Sequence, residues 1–250
     1  MNTNSKKIVV FGASSAIASA TLKFHAENGY ECCLVGRDDN KLKVIADDLL
    51  VRGAQRCIVI NSELSDYSIH ADLLKNIHNE FGSYEKVLVA YGTLSDQAQC
   101  EMDFDETLQE LTINLLSVIS LVSRIANQFE AQGAGQIAVI SSVAGDRGRQ
   151  SNYVYGTAKG GLSIFLQGLR NRLHKSNVNV LTVKPGFVDT PMTREFENKG
   201  ILWSNPDKIG KGIYHAMQKK RDVVYLPWFW RWIMIVIKMI PEKIFKKLSL

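Results

Sequence analysis

Lys7-Ile-Val-Val-Phe-Gly12-Ala-Ser-Ser-Ala16-Ile-Ala18 is the stretch on which the fold turns. Lys7–Phe11, rich in β-branched side chains, reads as a strand; a glycine and small residues follow at once, and Ile17, Leu22 and Phe24 begin a helical period. A strand that passes through a tight turn straight into a helix offers backbone N–H groups and the positive helix end to an anion such as a pyrophosphate. Taken alone, the junction is also compatible with a plain tight turn.

The same alternation continues outward from this point. Glu31–Val35, Arg56–Ile60, Lys86–Ala90, Gln136–Ser141, Asn179–Val183 and Asp222–Leu226 read as further strands. Between them lie helical periods such as Leu111, Leu115, Val118, Val122, Ile125 and Phe129, and Gly12, Gly29, Gly36, Gly82 and Gly186 mark joints. Repeated β-α units predict an α/β architecture, a doubly wound parallel sheet (Rossmann fold), with ligands at the carboxyl ends of the strands. No linker, low-complexity stretch or internal repeat interrupts it. The expectation is a single domain over residues 1–226, followed by an apolar and basic C-terminal segment, 227–250.

Composition agrees with one globular unit: 250 residues, 46% hydrophobic and 22% charged, exclude disorder, collagen and coiled coil. The formal charge of +5 is uneven. Up to residue 183 there are 17 basic and 19 acidic residues; beyond it there are 13 and 6. Basicity concentrated near one end argues against nucleic acid as a partner and leaves an acidic surface facing the C-terminus open. Cys32, Cys33, Cys57 and Cys100 lack metal or redox spacing and read as reduced core residues. The five histidines are scattered without ligand spacing, so no metal is implied. Only six apolar residues or small residues, Ile8 to Ala13, follow the polar N-terminus, far short of a secretory segment, and a reducing cytoplasm is expected.

The second strand ends in Val35-Gly36-Arg37. An acid there would bond the ribose 2′-hydroxyl of NAD; glycine cannot, and Arg37 suits the 2′-phosphate of NADP(H), or is simply a solvated strand-end charge. Glu63-Leu64 closes the third strand, where Glu63 faces an adenine amine or caps a helix. Further on, Ser141-Ser142 ends the fifth strand, and thirteen residues later Tyr155-Gly-Thr-Ala-Lys159 opens a helix. Tyr and Lys four apart lie on one side of a helix, and an adjacent ammonium lowers the pKa of a phenol toward its working range. Tyr153 lacks such a partner, because Thr157 stands four beyond it.

Together with Asn114 in the long preceding helix, these residues resemble the short-chain dehydrogenase/reductase family over residues 6 to 226. The likeness rests on Gly12-Ala-Ser-Ser-Ala-Ile-Ala18, Asn114, Ser142, Tyr155, Lys159 and Lys184-Pro185-Gly186-Phe187-Val188-Asp189-Thr190. Ala16 and Ala18 stand where the family usually carries glycines, which lowers the expected cofactor affinity, and Val89-Ala-Tyr-Gly92 replaces an Asn-Asn-Ala-Gly. The resemblance implies NADP(H) held by Gly12, Ser14, Ser15, Ala16, Ile17, Arg37, Glu63, Leu64, Gly92, Pro185, Gly186, Val188 and Thr190, along with Tyr155 and Lys159. It implies that Tyr155 donates the proton, that Lys159 lowers its pKa and binds nicotinamide-ribose hydroxyls, that Ser142 polarises a carbonyl, and that Asn114 holds a relay water. A homodimer or homotetramer through helices near Leu108–Phe129 and Tyr155–Leu173 is expected on the same ground.

Within that family the chain is similar to the decaprenylphosphoryl-2-keto-ribose reductases, in Val89-Ala-Tyr-Gly92, in Ser141–Gly156 and in the tail from Arg231 to Leu248. This implies reduction of the 2-keto group of a polyprenyl-phosphate-linked sugar in cell-envelope polysaccharide synthesis, with a flavin-dependent oxidase as partner. The same residues would serve another lipophilic ketone, 3-ketoacyl or steroid-like, or a non-catalytic NADP-binding membrane-associated protein. Arg147 and Arg149 follow Ser142 by five and seven residues, so one of them is expected to bind the phosphodiester, with loop solvation as the alternative. Residues 223–240 hold fifteen apolar residues in eighteen, broken by Pro227, Arg231 and Lys238 and followed by Lys243, Lys246 and Lys247 among Ile244, Phe245, Leu248 and Leu250. No uncharged run suits a spanning helix. Three tryptophans beside basic residues instead suit the surface of an anionic bilayer, on the cytoplasmic face, or a segment covering the cleft or a neighbouring subunit.

Overall fold

A computed structural model of the chain describes residues 6–194 and 200–248; the polar start before Lys6 and Leu250 of the tail pattern lie outside them. Strands form where the β-branched runs predict them: β1 (Lys7–Phe11), β2 (Glu31–Gly36), β3 (Arg56–Asn61), β4 (Lys86–Val89), β5 (Gly135–Ile140), β6 (Val178–Pro185) and β7 (Val223–Leu226). All pairings are parallel, in the order β3-β2-β1-β4-β5-β6-β7. The helices between them are α1 (Ala16–Ala26), α2 (Asp39–Val51), α3 (His70–Phe81), α4 (Gln97–Met102), α5 (Phe104–Leu111), α6 (Ser117–Gln132), α7 (Tyr153–Leu173) and α8 (Pro206–Gln218).

Side chains alternate across the sheet with the two-residue period of a strand, so each face acquires its own core. Val9, Phe11, Cys33, Val35, Val87, Val89, Ile137 and Val139 pack under α3, α6 and α7, with Ile77, Phe81, Leu121, Ile125 and Leu166. Ile8, Val10, Cys32, Leu34, Leu88, Ala138 and Leu181 turn the other way, against Leu22, Leu42, Leu49, Ile209 and Ile213 of α1, α2 and α8. Burial on both faces is why these strands read as continuous apolar runs.

The strand order reverses direction between β1 and β4, and the crevice that ligands occupy in such sheets opens there. Gly12 sits at that point with φ +79, a conformation that L side chains rarely adopt, and a Cβ on it would lie 2.6 Å from Tyr91 N. Close approach of the β1 turn to the segment after β4 thus requires glycine.

The expected long helix around Leu108–Phe129 is not uniform. α5 and α6 are joined by one π-helical stretch, Thr112–Leu116, within a rod from Phe104 to Gln132. That rod is the one described helix long and apolar enough to cross a membrane, yet Val118, Leu121, Val122, Ile125 and Phe129 bury it against the sheet.

The tail is built into the body. α9 (Trp230–Met239) and α10 (Glu242–Phe245) follow β7, and Trp230 and Met234 are buried with Val143, Phe187 and Tyr225. A methyl on Gly186 would overlap the Trp230 indole, so the tail rests directly on the turn after β6.

Candidate active site

The residues expected to hold the cofactor and to react, from Gly12 to Thr190, line one cavity of about 850 Å³. Its floor is the carboxyl end of the sheet. The β1 turn supplies Gly12, Ser14, Ser15, Ala16 and Ile17; the segments just after β2 and β3 supply Arg37, Glu63 and Leu64; the segment after β4 supplies Gly92. Ser142 follows β5, Asn114 comes from the π-helical stretch, Tyr155 and Lys159 from α7, and Pro185, Gly186, Val188 and Thr190 from the end of β6 and its loop.

Ser15 is the N-cap of α1 but makes no side-chain cap bond, which leaves the first-turn N–H groups of an eleven-residue helix facing the cavity. With the glycine that admits a close backbone approach, this is a cradle suited to a pyrophosphate. Ala18 is fully buried, so its methyl is accommodated at the helix-sheet contact. Tyr91, where the family pattern carries alanine, pairs its hydroxyl with Ser117 Oγ at 3.1 Å and holds the strand end through α6. Arg37 and Glu63 meet each other at the mouth, Nη1 to Oε2 3.2 Å, with 74% and 46% of their side chains exposed.

Ser142, Tyr155 and Lys159 lie deeper. Ser142 begins a 3₁₀ turn, accepting from Ala144 N at 3.1 Å, and hydrogen-bonds the Tyr155 hydroxyl. Lys159, 4% exposed, sits 5.6 Å from the Tyr155 ring centre and donates to Ile140 O at 3.4 Å. Burial lowers the Lys159 ammonium to about 8, against the opposing pull of Glu110, so it is mostly charged at neutral pH. The expectation of a lowered phenol is corrected here. Burial raises Tyr155 to about 12; the Ser142 hydrogen bond works against this and Glu110 adds to it. Desolvation disfavours a buried phenolate more than the surroundings stabilise it, so the phenol keeps its proton at neutral pH. Tyr153, the tyrosine without a lysine partner, is exposed and bonds Glu101 at 3.1 Å.

Arg147 and Arg149 separate in the structure. Arg147 turns away to the tail, donating to Ile237 O (2.6 Å), Ile240 O (2.7 Å) and Glu242 Oε2 (2.9 Å), with its guanidinium 3.6 Å from the Phe245 ring centre. Its donors face the end of α9, so it is not a phosphate ligand. Arg149 lines the cavity; its Nη2 lies 3.2 Å from Met234 Sδ, and its Nε is buried without a partner. Asn152 Oδ1, also on the cavity wall, is likewise buried and unpaired.

Sequence reasoning missed Glu110. This carboxylate, 1% exposed, accepts from Asn114 Nδ2 (2.8 Å), Thr93 Oγ1 (2.7 Å) and Ser95 Oγ. Its one signal in the sequence is a position four before Asn114 on a helix, hidden among Asp103, Asp105 and Glu106.

A doubly wound sheet with a phosphate cradle at its switch point and a Ser-Tyr-Lys group beyond it defines a dinucleotide-dependent oxidoreductase. The short chain dehydrogenase family model matches residues 6–200, and the chain belongs to that family: it is an NAD(P)-dependent short-chain oxidoreductase. It is similar to an uncharacterized oxidoreductase of Mycobacterium tuberculosis, 30% identical over 99% of this chain and 98% of that one. An uncharacterized oxidoreductase of Streptomyces coelicolor is 28% identical over 97% and 96%. Among solved structures, a short-chain dehydrogenase from Sphingobium yanoikuyae in complex with NADPH shares the fold, with TM-score 0.81, 20% identity and 92% of each chain covered.

Proposed function

We propose that the protein is an NADPH-dependent ketoreductase acting on the 2-keto group of a polyprenyl-phosphate-linked sugar, in sequence with a flavin-dependent oxidase that makes the ketone. The observation that carries this reading is the single cavity that joins the β1 cradle to Ser142, Tyr155 and Lys159 and also takes in Arg149, whose Nε is buried without a partner. When bound, the cofactor supplies the hydride. Tyr155 gives its proton to the carbonyl oxygen, Ser142 donates to that oxygen, and the Lys159 ammonium stabilises the phenolate left behind.

Arg37 favours the 2′-phosphate. An exposed ion pair is worth only about 0–1 kcal/mol, so Arg37 exchanges Glu63 for a phosphate readily. Arg149 is assigned to the substrate phosphate and Asn152 Oδ1 to a sugar hydroxyl, because a buried donor or acceptor without a partner costs about 1–3 kcal/mol until a ligand or water satisfies it. The Arg149 guanidinium suits phosphate oxygens.

The tail supports a cytoplasmic membrane-surface location. α9 buries Trp230 and Met234 on one side, while Trp232, Val236 and Met239 are exposed at helical spacing on the other, with exposed Trp228 before them and Arg231 and Lys238 alongside. An outward apolar face flanked by basic residues fits an anionic bilayer. Because Trp230 belongs to the core, the test is Trp232→Ser with Val236→Ser rather than deletion: co-sedimentation with anionic liposomes should fall, and unchanged binding refutes the membrane reading.

Exposed Ile164 on α7, Leu108 on α5 and Leu116 in the π-helical stretch are the surface a second copy would cover. The function itself is tested by NADPH consumption with oxidised polyprenylphosphoryl ribose against 3-ketoacyl and steroid ketones. Preference for the sugar, weakened in KM by Arg149→Ala at constant NADPH affinity, is expected. Preference for an acyl or steroid ketone refutes the substrate, and no turnover with any ketone refutes the enzyme.

A further inference from the structure

Asn114 has an amide whose two ends look alike in shape but differ in chemistry, and its surroundings decide which end points where. Nδ2 lies within reach of Glu110 Oε1 (2.8 Å), Thr93 Oγ1 (3.0 Å), Thr93 O (3.2 Å) and Glu110 O (3.2 Å). An ionised carboxylate only accepts, so the NH₂ must face Glu110. Oδ1 then accepts from Thr93 N at 3.3 Å and closes on Gly92: a Cβ there would lie 2.5 Å from Oδ1 and 3.4 Å from Lys159 Nζ. The carbonyl end of Asn114 and the Lys159 ammonium therefore converge on the same glycine.

Glu110 is itself held in place. It is buried at the end of α5, where the π-helical stretch begins, and the hydroxyls of Thr93 and Ser95 both donate to Oε2. A buried charge persists only when paired and hydrogen-bonded. Among the described residues, the titratable groups acting at this point are Glu110 from α5 and Tyr155 and Lys159 from α7; β5 contributes the Ile140 carbonyl and the segment after β4 contributes Thr93 and Ser95.

We propose that Glu110 is a positioning residue for the reduction: its carboxylate orients the Asn114 amide so that Oδ1 faces Gly92 and Lys159, and it supplies the counter-charge for the buried ammonium. This rests on the reductase reading above. Loss of the negative charge removes support for the Lys159 ammonium and relieves opposition to the Tyr155 phenolate, so both groups lose protons at lower pH. Ketone reduction needs both protonated, and the alkaline limb of its pH profile moves acidward.

Glu110→Gln and Glu110→Asp test this with two readouts. Lysine Cε NMR, with the Lys159 signal assigned by Lys159→Arg, requires no turnover and so stands even if the substrate or cofactor assignment fails. In Glu110→Gln the Lys159 titration should fall by about one pH unit, the scale of losing a nearby opposite charge, and the alkaline limb of kcat/KM for any accepted ketone should fall with it. Glu110→Asp keeps the charge and should titrate within about 0.3 unit of the parent, with a lower kcat. An unmoved Lys159 titration in folded Glu110→Gln overturns the proposal. If that variant does not fold, Glu110→Asp decides: a Lys159 titration displaced by a full unit while the charge is retained overturns it, and a titration in place upholds it.

Discussion

Replacing Arg147 by alanine should release the C-terminal helices while leaving the sheet intact. Two short hydrogen bonds tie its guanidinium to Ile237 O (2.6 Å) and Ile240 O (2.7 Å), at the negative end of α9. Charged hydrogen bonds contribute about 1.5–3 kcal/mol each, and because one guanidinium carries both we take about 3 kcal/mol for the pair. Stacking on Phe245 at 3.6 Å adds about 0.5–1 kcal/mol. Glu242, 77% exposed, adds little. The sum of about 3–4 kcal/mol corresponds to a hundredfold or greater increase in local opening, since about 1.4 kcal/mol is tenfold. Hydrogen exchange read by mass spectrometry on peptides spanning 230–245 should accelerate by that factor, with β1 and β5 unchanged. Glu242→Gln should alter the same peptides by no more than about threefold. If Arg147→Ala exchanges like the parent protein, the clamp does not exist and the docking must rest on Trp230 and Met234 alone.

Other expectations follow from the site and the core. Tyr155→Phe should abolish turnover while an NADPH fluorescence titration remains nearly unchanged; comparable turnover rejects Tyr155 as the proton donor. Gly12→Ala places a methyl in a left-handed backbone against Tyr91 N, so it should lose about 2 kcal/mol in urea unfolding and at least tenfold in NADPH affinity, and a neutral outcome contradicts the close approach. His25 is wholly buried, and burial lowers its pKa from 6.5 to about 4. The unfolded chain therefore takes up a proton in that window that the folded chain refuses, and stability falls by roughly 3 kcal/mol as pH drops from about 6.5 to about 4. His25→Phe, kept between Tyr30 and Tyr214, should flatten that part of the pH dependence of unfolding, and an identical slope in both proteins would falsify the assignment.

Strands and their order of appearance were legible because apolar periodicity is a property of neighbouring residues. Every strand read from a β-branched run formed, Lys7–Phe11 with the same ends and the others with ends displaced by no more than two residues, as at Val178–Pro185. Tyr155 and Lys159 were legible as a pair because one helical turn brings them together. The π-helical stretch at Asn114 was not, since nothing local in Thr112–Leu116 distinguishes it from the helix on either side. Glu110 was hidden for a related reason: an acid on an acidic helix is ordinary until Thr93 and Ser95 arrive from another loop. The phenol of Tyr155 reversed the expected direction of its pKa because the depth of burial is not written at that position.

Residue order alone determined the doubly wound sheet, the glycine turn and the group Ser142, Tyr155 and Lys159, because each depends on spacing within a few turns of backbone. Only the tertiary structure decided between Arg147 and Arg149. Two residues apart, they differ because the carbonyls at the end of α9, some ninety residues downstream, take up the Arg147 guanidinium, while Arg149 meets that helix only at Met234 Sδ and stays in the cavity wall. It likewise decided that the tail is part of the core on one side and exposed on the other. A side chain's partner, and so its function, is set by which distant segments the sheet brings within hydrogen-bond reach.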